Sequence, residues 1–509
     1  MAEADVAPRA LTASHRILPT VIYSRAAPAA GRRGIGQTGG TASVVVCREA
    51  WSASRPSATE ETALGPTNPS ETGSSPPDRT DPDEMPGRRM PRVLRRFLET
   101  EAAGGIVLLV AAVVALAWAN SPWSASYRDL WDTKLSIGVG DFELVETLQH
   151  WVNDGLMAIF FFVVGLEIKR ELVVGDLRDR RTAAMPAIAA VGGMAVPALL
   201  FLLVTAGSGG GGTTGWGIPM ATDIAFAIGV VALLGPRVPA PLKLFLLTLA
   251  IVDDIGAIAV IAVFYSADLQ PGFLVAAAVL LVVMGGLRRA GIVWMAPYVL
   301  LGTGVWLATL ESGVHATIAG VVLGLLAPAR ALTPAAVARD WAGDLADDPT
   351  PAELDAMTKL ARTSVSPVER LEHLLHPWTS FLVVPLFALA NTGVEIRATS
   401  FDAPGAVGVT AGVVVGLLVG KTVGITLAAW LAVRTGLGRL PEGATWPLVI
   451  GVATVAGIGF TVSLFIAELA FESGALQDAA KIGVLGGSIL AGALGAFILM
   501  RAGRAARSP

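Results

Sequence analysis

Two adjacent carboxylates, Asp253 and Asp254, stand in the run Leu249-Ala-Ile-Val-Asp-Asp-Ile-Gly-Ala-Ile-Ala-Val260, with apolar residues on both sides. An ionisable group at the middle of a membrane helix costs roughly 2.5 to 3.5 kcal/mol on insertion scales, so such a group reads as functional. On a helix the two side chains point about 100° apart. They need not share one ligand, yet they lie close enough to couple their titrations. Thr222-Asp223, in Ile218-Pro-Met-Ala-Thr-Asp-Ile-Ala-Phe226, follows a glycine-rich stretch and Pro219, where helical order is expected to break. Gly457-Ile-Gly-Phe-Thr461 interrupts a later apolar run in the same manner, although helix packing alone also accounts for a glycine pair. Lys421, a lone cation in Leu418-Val-Gly-Lys-Thr-Val-Gly424, needs an anion at its own depth, and Asp253 is the candidate partner. Its likeness to the end of a phosphate-binding loop fails for want of the upstream glycine and the strand-turn-helix setting.

Carboxylate oxygens, a threonine hydroxyl and freed backbone carbonyls are hard oxygen donors, suited to a small hard cation. Carboxylates in a low dielectric hold protons more tightly, and a nearby cation loosens them. A proton and a metal cation therefore compete for the same oxygens, and competition combined with alternating access is exchange. Other ionisable groups stand near span ends: Asp154 towards the outer end of the second span, Glu167 with Lys169, Arg170 and Glu171 at its inner end, and His315 opening the eighth. At such places solvated faces and snorkelling account for charges more often than function does. For His315, a packing or capping role and a proton-linked role both remain open.

These groups must be positioned by membrane-spanning helices. The chain has 509 residues, 53% apolar and only 15% charged, with a mean hydropathy of +0.63. Ordinary soluble domains carry about 25% charged residues, so the composition points to an integral membrane protein. A single cysteine, Cys47, excludes an internal disulfide, a CxxC redox motif and a thiolate zinc cluster. A net charge of −4 gives no electrostatic footprint for nucleic acid, and no enzyme cofactor is implied. Twelve apolar runs approach or exceed the length that crosses a bilayer, about 20 residues for a 30 Å core. They lie at 103–120, 150–168, 183–206, 218–234, 242–265, 272–287, 292–310, 313–328, 377–393, 405–433, 447–471 and 481–500. The tenth is long, and splitting it would give thirteen.

Charge decides between the counts. With the N-terminus inside, the outside loops hold only Arg128, Lys134, Arg397 and Lys481 of the 37 basic residues. Such a bias orients helices, and a thirteenth span would invert the second half. Both termini are thus expected in the cytoplasm. The domain order expected is a disordered extension over 1–95, spans I–VIII over 96–328, a cytoplasmic loop over 329–376, spans IX–XII over 377–500 and a tail over 501–509. The extension lacks any helical or strand period. Met85 and Met90 precede an arginine-rich lead, so the first ~84 residues are either an over-extended reading frame or a dispensable tail. In the first outside loop, Lys134 to Leu144 alternates about a glycine-containing turn, which predicts a hairpin: an exposed loop, or an edge that pairs with a second subunit. An intramembrane aspartyl protease, suggested by Gly138-Val-Gly-Asp141, is disfavoured because that motif falls in a short outside loop. A channel is disfavoured because no repeated pore-loop filter is present.

Six stretches resemble the NhaA family of bacterial sodium/proton antiporters. They are Leu156-Met-Ala-Ile-Phe-Phe-Phe-Val-Val-Gly-Leu-Glu-Ile-Lys-Arg-Glu-Leu172, Ala221-Thr-Asp-Ile-Ala-Phe-Ala227, Ala250-Ile-Val-Asp-Asp-Ile-Gly-Ala-Ile258, Ser312-Gly-Val-His-Ala-Thr-Ile-Ala-Gly320, Arg370-Leu-Glu-His-Leu-Leu-His-Pro-Trp378 and Gly457-Ile-Gly-Phe-Thr-Val-Ser-Leu-Phe-Ile-Ala467. The resemblance spans about residues 95 to 500. It implies an all-α fold of twelve transmembrane helices with inverted repeats and two broken helices, four and eleven, crossing at the midplane. Interrupted segments at matching places in two halves point the same way, and that rule has this family among its own examples. The resemblance further implies a bacterial plasma-membrane location, electrogenic exchange of Na+ or Li+ for more than one proton, and pH regulation. A cation symporter using the same carboxylates is the alternative.

Carried over by position, Asp254 resembles the cation-binding carboxylate and Asp253 its neighbour paired with Lys421, with Thr222 contributing an oxygen to Na+. Asp223 would offset the positive ends of half-helices. Glu167, His315, Glu372, His373 and His376 match positions linked to pH response, Asp154 an acid near the outer end of helix two, and the hairpin at 134–144 a dimer-forming element. The chain departs from the family in its long N-terminal extension, in an acidic insert at 340–355, and in Glu369, which stands where a basic residue is usual.

Overall fold

The computed structural model describes residues 92–505 except 140–141, 209–211, 267, 293, 332, 335–336, 338–349 and 472–473. The chain divides into units 1–82 and 83–509, and every described residue belongs to the second. The expected N-terminal extension as far as residue 91, Asp141 of the protease-like motif, and residues 340–349 of the acidic insert therefore lie outside the described residues.

The chain enters through α1 (Arg92–Ala119) and the short α2 (Ser124–Trp131), which bend by 116° against each other. Strands β1 (Lys134–Val139) and β2 (Phe142–Thr147) then pair antiparallel, Lys134 opposite Thr147 and Val139 opposite Phe142, so the alternation read in this loop is a hairpin. A helical turn and the π segment Trp151–Leu156 lead into α3 (Met157–Val173), followed by α4 (Arg180–Ala206). The 3-10 turn Gly212–Met220 and α5 (Ile224–Leu233) form a pair bent by 44°. Helices α6 (Ala240–Phe264), α7 (Pro271–Arg289), α8 (Met295–Leu310) and α9 (Thr317–Leu326) complete the first half.

The second half opens with α10 (Pro351–Ser364) and α11 (Pro367–Trp378). A π segment, Thr379–Val383, joins α11 to α12 (Val384–Asn391). Another, Gly416–Gly420, joins α13 (Ala406–Val415) to α14 (Lys421–Arg434). Next come α15 (Trp446–Val455) and α16 (Phe460–Ala470), bent by 48°, and α17 (Ala475–Ala505). Among the described residues, six helical runs are long and apolar enough to cross a bilayer, or up to nine if each bent pair is one span, and α8 and α9 are shorter apolar helices. The run Ala406–Arg434 is one continuous span candidate, without the split weighed for it.

The run that carries the ninth span begins at Pro367, ten residues before its apolar stretch. Ser366 and Glu369 form a capping box there: the Ser366 hydroxyl accepts from Glu369 N–H, and the Glu369 carboxylate accepts from Ser366 N–H at 3.1 Å. This satisfies donors that a helix start otherwise leaves unpaired, and it extends helix into the polar segment read as loop. Glu372, His373 and His376 are therefore on a helix. Close packing elsewhere depends on small residues, which let backbones approach in a membrane bundle. A Cβ on Gly320 of α9 would lie 2.2 Å from the carbonyl oxygen of Ala158 on α3, so only glycine fits this crossing. Lys421 is among the largest fully buried side chains, together with Phe201, Phe387 and Phe465.

Candidate functional site

Two of the three bent pairs, Gly212–Met220 with α5 and α15 with α16, meet at their bends. Residues 221–223 interrupt the first and residues 456–459 the second. Asp223 N–H donates to the Ile458 carbonyl at 2.7 Å, and Ser463 Oγ donates to the Ile218 carbonyl at 2.7 Å. The Asp223 side chain caps α5 by accepting from Phe226 N–H at 3.0 Å. Its other oxygen accepts from Thr461 N–H at 3.1 Å and Thr461 Oγ1 at 2.5 Å. A carboxylate facing the first turns of α5 and α16 compensates their partial positive charge. Glycines allow close approach at the second bend: a Cβ on Gly459 would lie 3.1 Å from the Ala221 carbonyl oxygen of the first bend, and one on Gly457 would lie 2.2 Å from the Leu417 carbonyl oxygen of the π segment Gly416–Gly420.

Asp253 and Asp254 lie midway along α6, at 0% and 7% exposure. Asp253 Oδ2 is ion-paired with Lys421 Nζ, both side chains being wholly buried. The π segment Gly416–Gly420 ends immediately before Lys421. Thr222 completes the arrangement. Its oxygen accepts from Lys421 Nζ at 2.9 Å, and its single hydroxyl hydrogen faces two acceptors, Asp253 Oδ2 at 2.7 Å and the Ala456 carbonyl at 2.8 Å. Asp253 Oδ1 and Asp254 Oδ1 are buried without a hydrogen-bond partner. A buried carboxylate oxygen left unpaired is costly, and a cation or a proton at these atoms would remove that cost. Asp253, Glu167 and Asp223 all lie within electrostatic range of Asp254. Among the described residues no group of three or more His, Cys, Asp or Glu side chains is arranged to hold a metal. A cation here would draw on two carboxylates and on hydroxyl or carbonyl oxygens, which is hard-cation chemistry.

The structure thus brings Asp253, Asp254, Thr222, Asp223 and Lys421 together. Glu167 is close to them on α3, and one turn further along that helix Arg170 is ion-paired with Glu372 of α11 and lies 3.2 Å from Glu171. His376 sits half-buried on α11, whereas His373 is exposed. His315 lies elsewhere, its Nε2 2.6 Å from the Tyr265 carbonyl oxygen just beyond α6. Asp154 is in the π segment Trp151–Leu156, where its backbone carbonyl accepts from Trp306 Nε1 at 2.9 Å. Four participants were not read as site residues from sequence. Thr461 was visible only as the end of an interrupting motif, the Ala456 and Ile458 carbonyls carry no sequence signal, and Arg170 was read as a charge at a helix end.

A profile of the family described as Na+/H+ antiporter 1 matches residues 95–499. The chain is 48% identical over 417 residues to a Na+/H+ antiporter NhaA 3 of Frankia alni, covering 81% of this chain and 89% of that protein. It is 47% identical over 433 residues to a Na+/H+ antiporter NhaA of Oleidesulfovibrio alaskensis, covering 82% and 95%. A Na+/H+ antiporter NhaA of Bordetella parapertussis is 47% identical over 415 residues, covering 81% and 97%.

Proposed function

The chain belongs to the Na+/H+ antiporter 1 family, and on that footing we propose that it is an electrogenic, pH-regulated antiporter. It exchanges cytoplasmic Na+ or Li+ for more than one external proton across a bacterial plasma membrane. The observation that carries this reading is the buried pair Asp253–Asp254, each with one oxygen lacking a hydrogen-bond partner, beside Lys421 and at the meeting of two bent helices.

Asp254 is the cation ligand, with Asp253 and the Thr222 oxygen completing its oxygen set. A cation that draws on Asp253 competes with Lys421 for the same carboxylate. A proton on these carboxylates excludes the cation, so each loading state prohibits the other. Asp223 neutralises the helix starts at the two bends. Arg170, Glu372 and Glu167 link the end of α3 to α11, and with His376, His373 and His315 they set the pH response. Asp154 serves the outer end of the path.

The long helical runs, the three bent pairs, α3, α8 and α9 support twelve spans in inverted repeats, with the pairs around 221–223 and 456–459 as broken helices at the midplane. Both termini are cytoplasmic. The hairpin Lys134–Thr147 exposes Leu135 and Ile137, which supports a homodimer formed through it.

The test uses everted membrane vesicles carrying a proton gradient, to which Na+, Li+ or K+ is added separately between about pH 6.5 and 9 while a pH-sensitive dye reports the gradient. Na+ and Li+ are expected to collapse it. Collapse by no cation at any pH overturns the reading.

A further inference from the structure

Asp154 stands where the helix that carries it changes its winding. The π segment Trp151–Leu156 runs directly into α3, and a π turn holds more residues than an α turn. In an uninterrupted α-helix Asp154 would share a face with Ala158, four residues on, whose carbonyl abuts Gly320 of α9. One extra residue turns it away from that crossing by about 100°. Among the described residues nothing hydrogen-bonds the Asp154 carboxylate, and His150 and Glu146 act on it through their charge alone. The direction in which this acid points is therefore set by its backbone.

That backbone is fixed from three sides. Trp151 Nε1 donates to the Leu135 carbonyl of β1 at 3.1 Å. On α12, Asn391 exchanges two hydrogen bonds with Asn153, donating from Nδ2 to Oδ1 at 2.7 Å and accepting at Oδ1 from Asn153 Nδ2 at 3.2 Å. Asn391 Nδ2 also donates to the Phe387 carbonyl at 2.9 Å, and Oδ1 accepts from Gln149 Nε2 at 3.0 Å, so both ends of this amide are fully used. The third contact falls on Asp154 itself. Trp306 of α8 donates from Nε1 to the Asp154 carbonyl at 2.9 Å, its ring stacked on Trp151 with centroids 6.3 Å apart and planes inclined by 29°. A backbone carbonyl has two lone pairs, so it can take the indole besides a bond within the helix. Holding that oxygen fixes the plane of the Asp154–Gly155 peptide, and with it the torsion beside the side chain.

We propose that Trp306 is a positioning residue for exchange: its indole N–H holds the π turn and thereby aims the Asp154 carboxylate. The proposal rests on the transport reading above, in which Asp154 serves the outer end of the path. The π-helix is rare and occurs mostly as single turns inside α-helices, so contacts from neighbouring helices must favour it here. The Asn391 bonds fix Asn153 and the ring stacking fixes Trp151, whereas the Trp306 N–H reaches Asp154 directly. Removing that N–H while keeping a ring frees the Asp154 carbonyl and leaves most of the space filled.

The test separates aim from stability. Trp306→Phe keeps a ring against Trp151 and removes the donor. Right-side-out vesicles, acidic inside, take up radioactive Na+ applied to the outer face, so the concentration dependence reads affinity on the side where Asp154 stands. Trp306→Phe is expected to need about fivefold more Na+ for half-maximal uptake, which corresponds to one ordinary hydrogen bond, with the maximal rate and the melting temperature close to those of the parent. Asp154→Asn removes the charge being aimed, so adding Trp306→Phe to it should lower affinity no further. An unchanged affinity in Trp306→Phe, or its full loss repeated on top of Asp154→Asn, overturns the proposal. If the parent takes up no Na+, the exchange reading falls, and amide hydrogen exchange decides for the indole clamp alone. Exchange over Trp151–Leu156 about fivefold faster in Trp306→Phe then upholds the clamp, and equal rates overturn it.

Discussion

Asp223 and Thr461, 238 residues apart in the chain, hold the two bends against each other through a single carboxylate oxygen that accepts from both the Thr461 amide at 3.1 Å and the Thr461 hydroxyl at 2.5 Å. Hydrogen bonds to a charged group contribute about 1.5 to 3 kcal/mol, and here two of them converge where no helical ladder is available. Thr461→Ala keeps the amide and removes the hydroxyl. It is expected to destabilise the purified protein by about 1.5 to 3 kcal/mol in denaturant titration, with Thr461→Ser restoring most of the loss. Unchanged stability in the alanine variant would mean that the amide alone holds the bends together.

Asp254→Asn is expected to abolish Na+- and Li+-dependent collapse of a proton gradient while leaving the melting temperature close to that of the parent. Asparagine preserves shape and removes the charge, and the Asp254 oxygen concerned has no protein partner to lose. Residual Na+ dependence in this variant would remove Asp254 from the ligand set.

Much of this site is legible in one sequence because its cost is legible. Asp253, Asp254 and Lys421 are conspicuous as charges inside apolar runs, and Thr222-Asp223 and Gly457-x-Gly459 as breaks in them. What pairs with what is another matter. Asp253 and Lys421 are separated by 168 residues and Arg170 and Glu372 by 202, and no local pattern encodes a contact at that range. The π segments ahead of Lys421 and around Asp154 leave no compositional mark. The early start of α11 carried a signal, Ser366-Pro-Val-Glu369, but the segment stays polar through His373, so hydropathy does not mark where the helix begins.

Deleting the hairpin Lys134–Thr147 is expected to halve the mass of the detergent-solubilised particle in light scattering and to leave exchange per protomer largely intact. A two-stranded hairpin alone is marginally stable, and this one leaves Leu135 and Ile137 about half exposed, at 45% and 52%. A second subunit paired along it would cover both. A particle of unchanged mass would mean that the hairpin forms no dimer contact.

Helix α10 is expected to lose local order on acidification. Thr350 donates to the Glu353 carboxylate from its amide and its hydroxyl, both at 2.9 Å, and these bonds hold the Glu353 carboxyl below its ordinary value of 4.5. A group whose folded value is depressed stabilises the fold in full above its ordinary value and loses that contribution as pH falls through the folded value. Amide protection over Pro351–Ser364 should therefore hold at neutral pH and decline only as pH falls below the ordinary value of 4.5, and Thr350→Ala should lower it already at neutral pH. Protection insensitive to both changes would show that the cap does not anchor this helix.

Lys421→Ala leaves the Asp253 carboxylate at 0% exposure with the Thr222 hydroxyl as its remaining partner. Removing one partner of a buried pair costs about 3 to 5 kcal/mol, because the surviving charge has neither water nor counter-charge. The variant is expected to melt well below the parent while retaining its preference among Na+, Li+ and K+, since Lys421 supplies no oxygen to a cation. The cost lies in the stranded charge rather than in a lost attraction, so adding Asp253→Asn should recover much of the stability. A double-mutant cycle on melting then reads a coupling of about 3 kcal/mol or less between the two positions. If the double variant is no more stable than Lys421→Ala alone, the loss comes from the space the lysine fills, and the ion pair is not what holds α6 to α14.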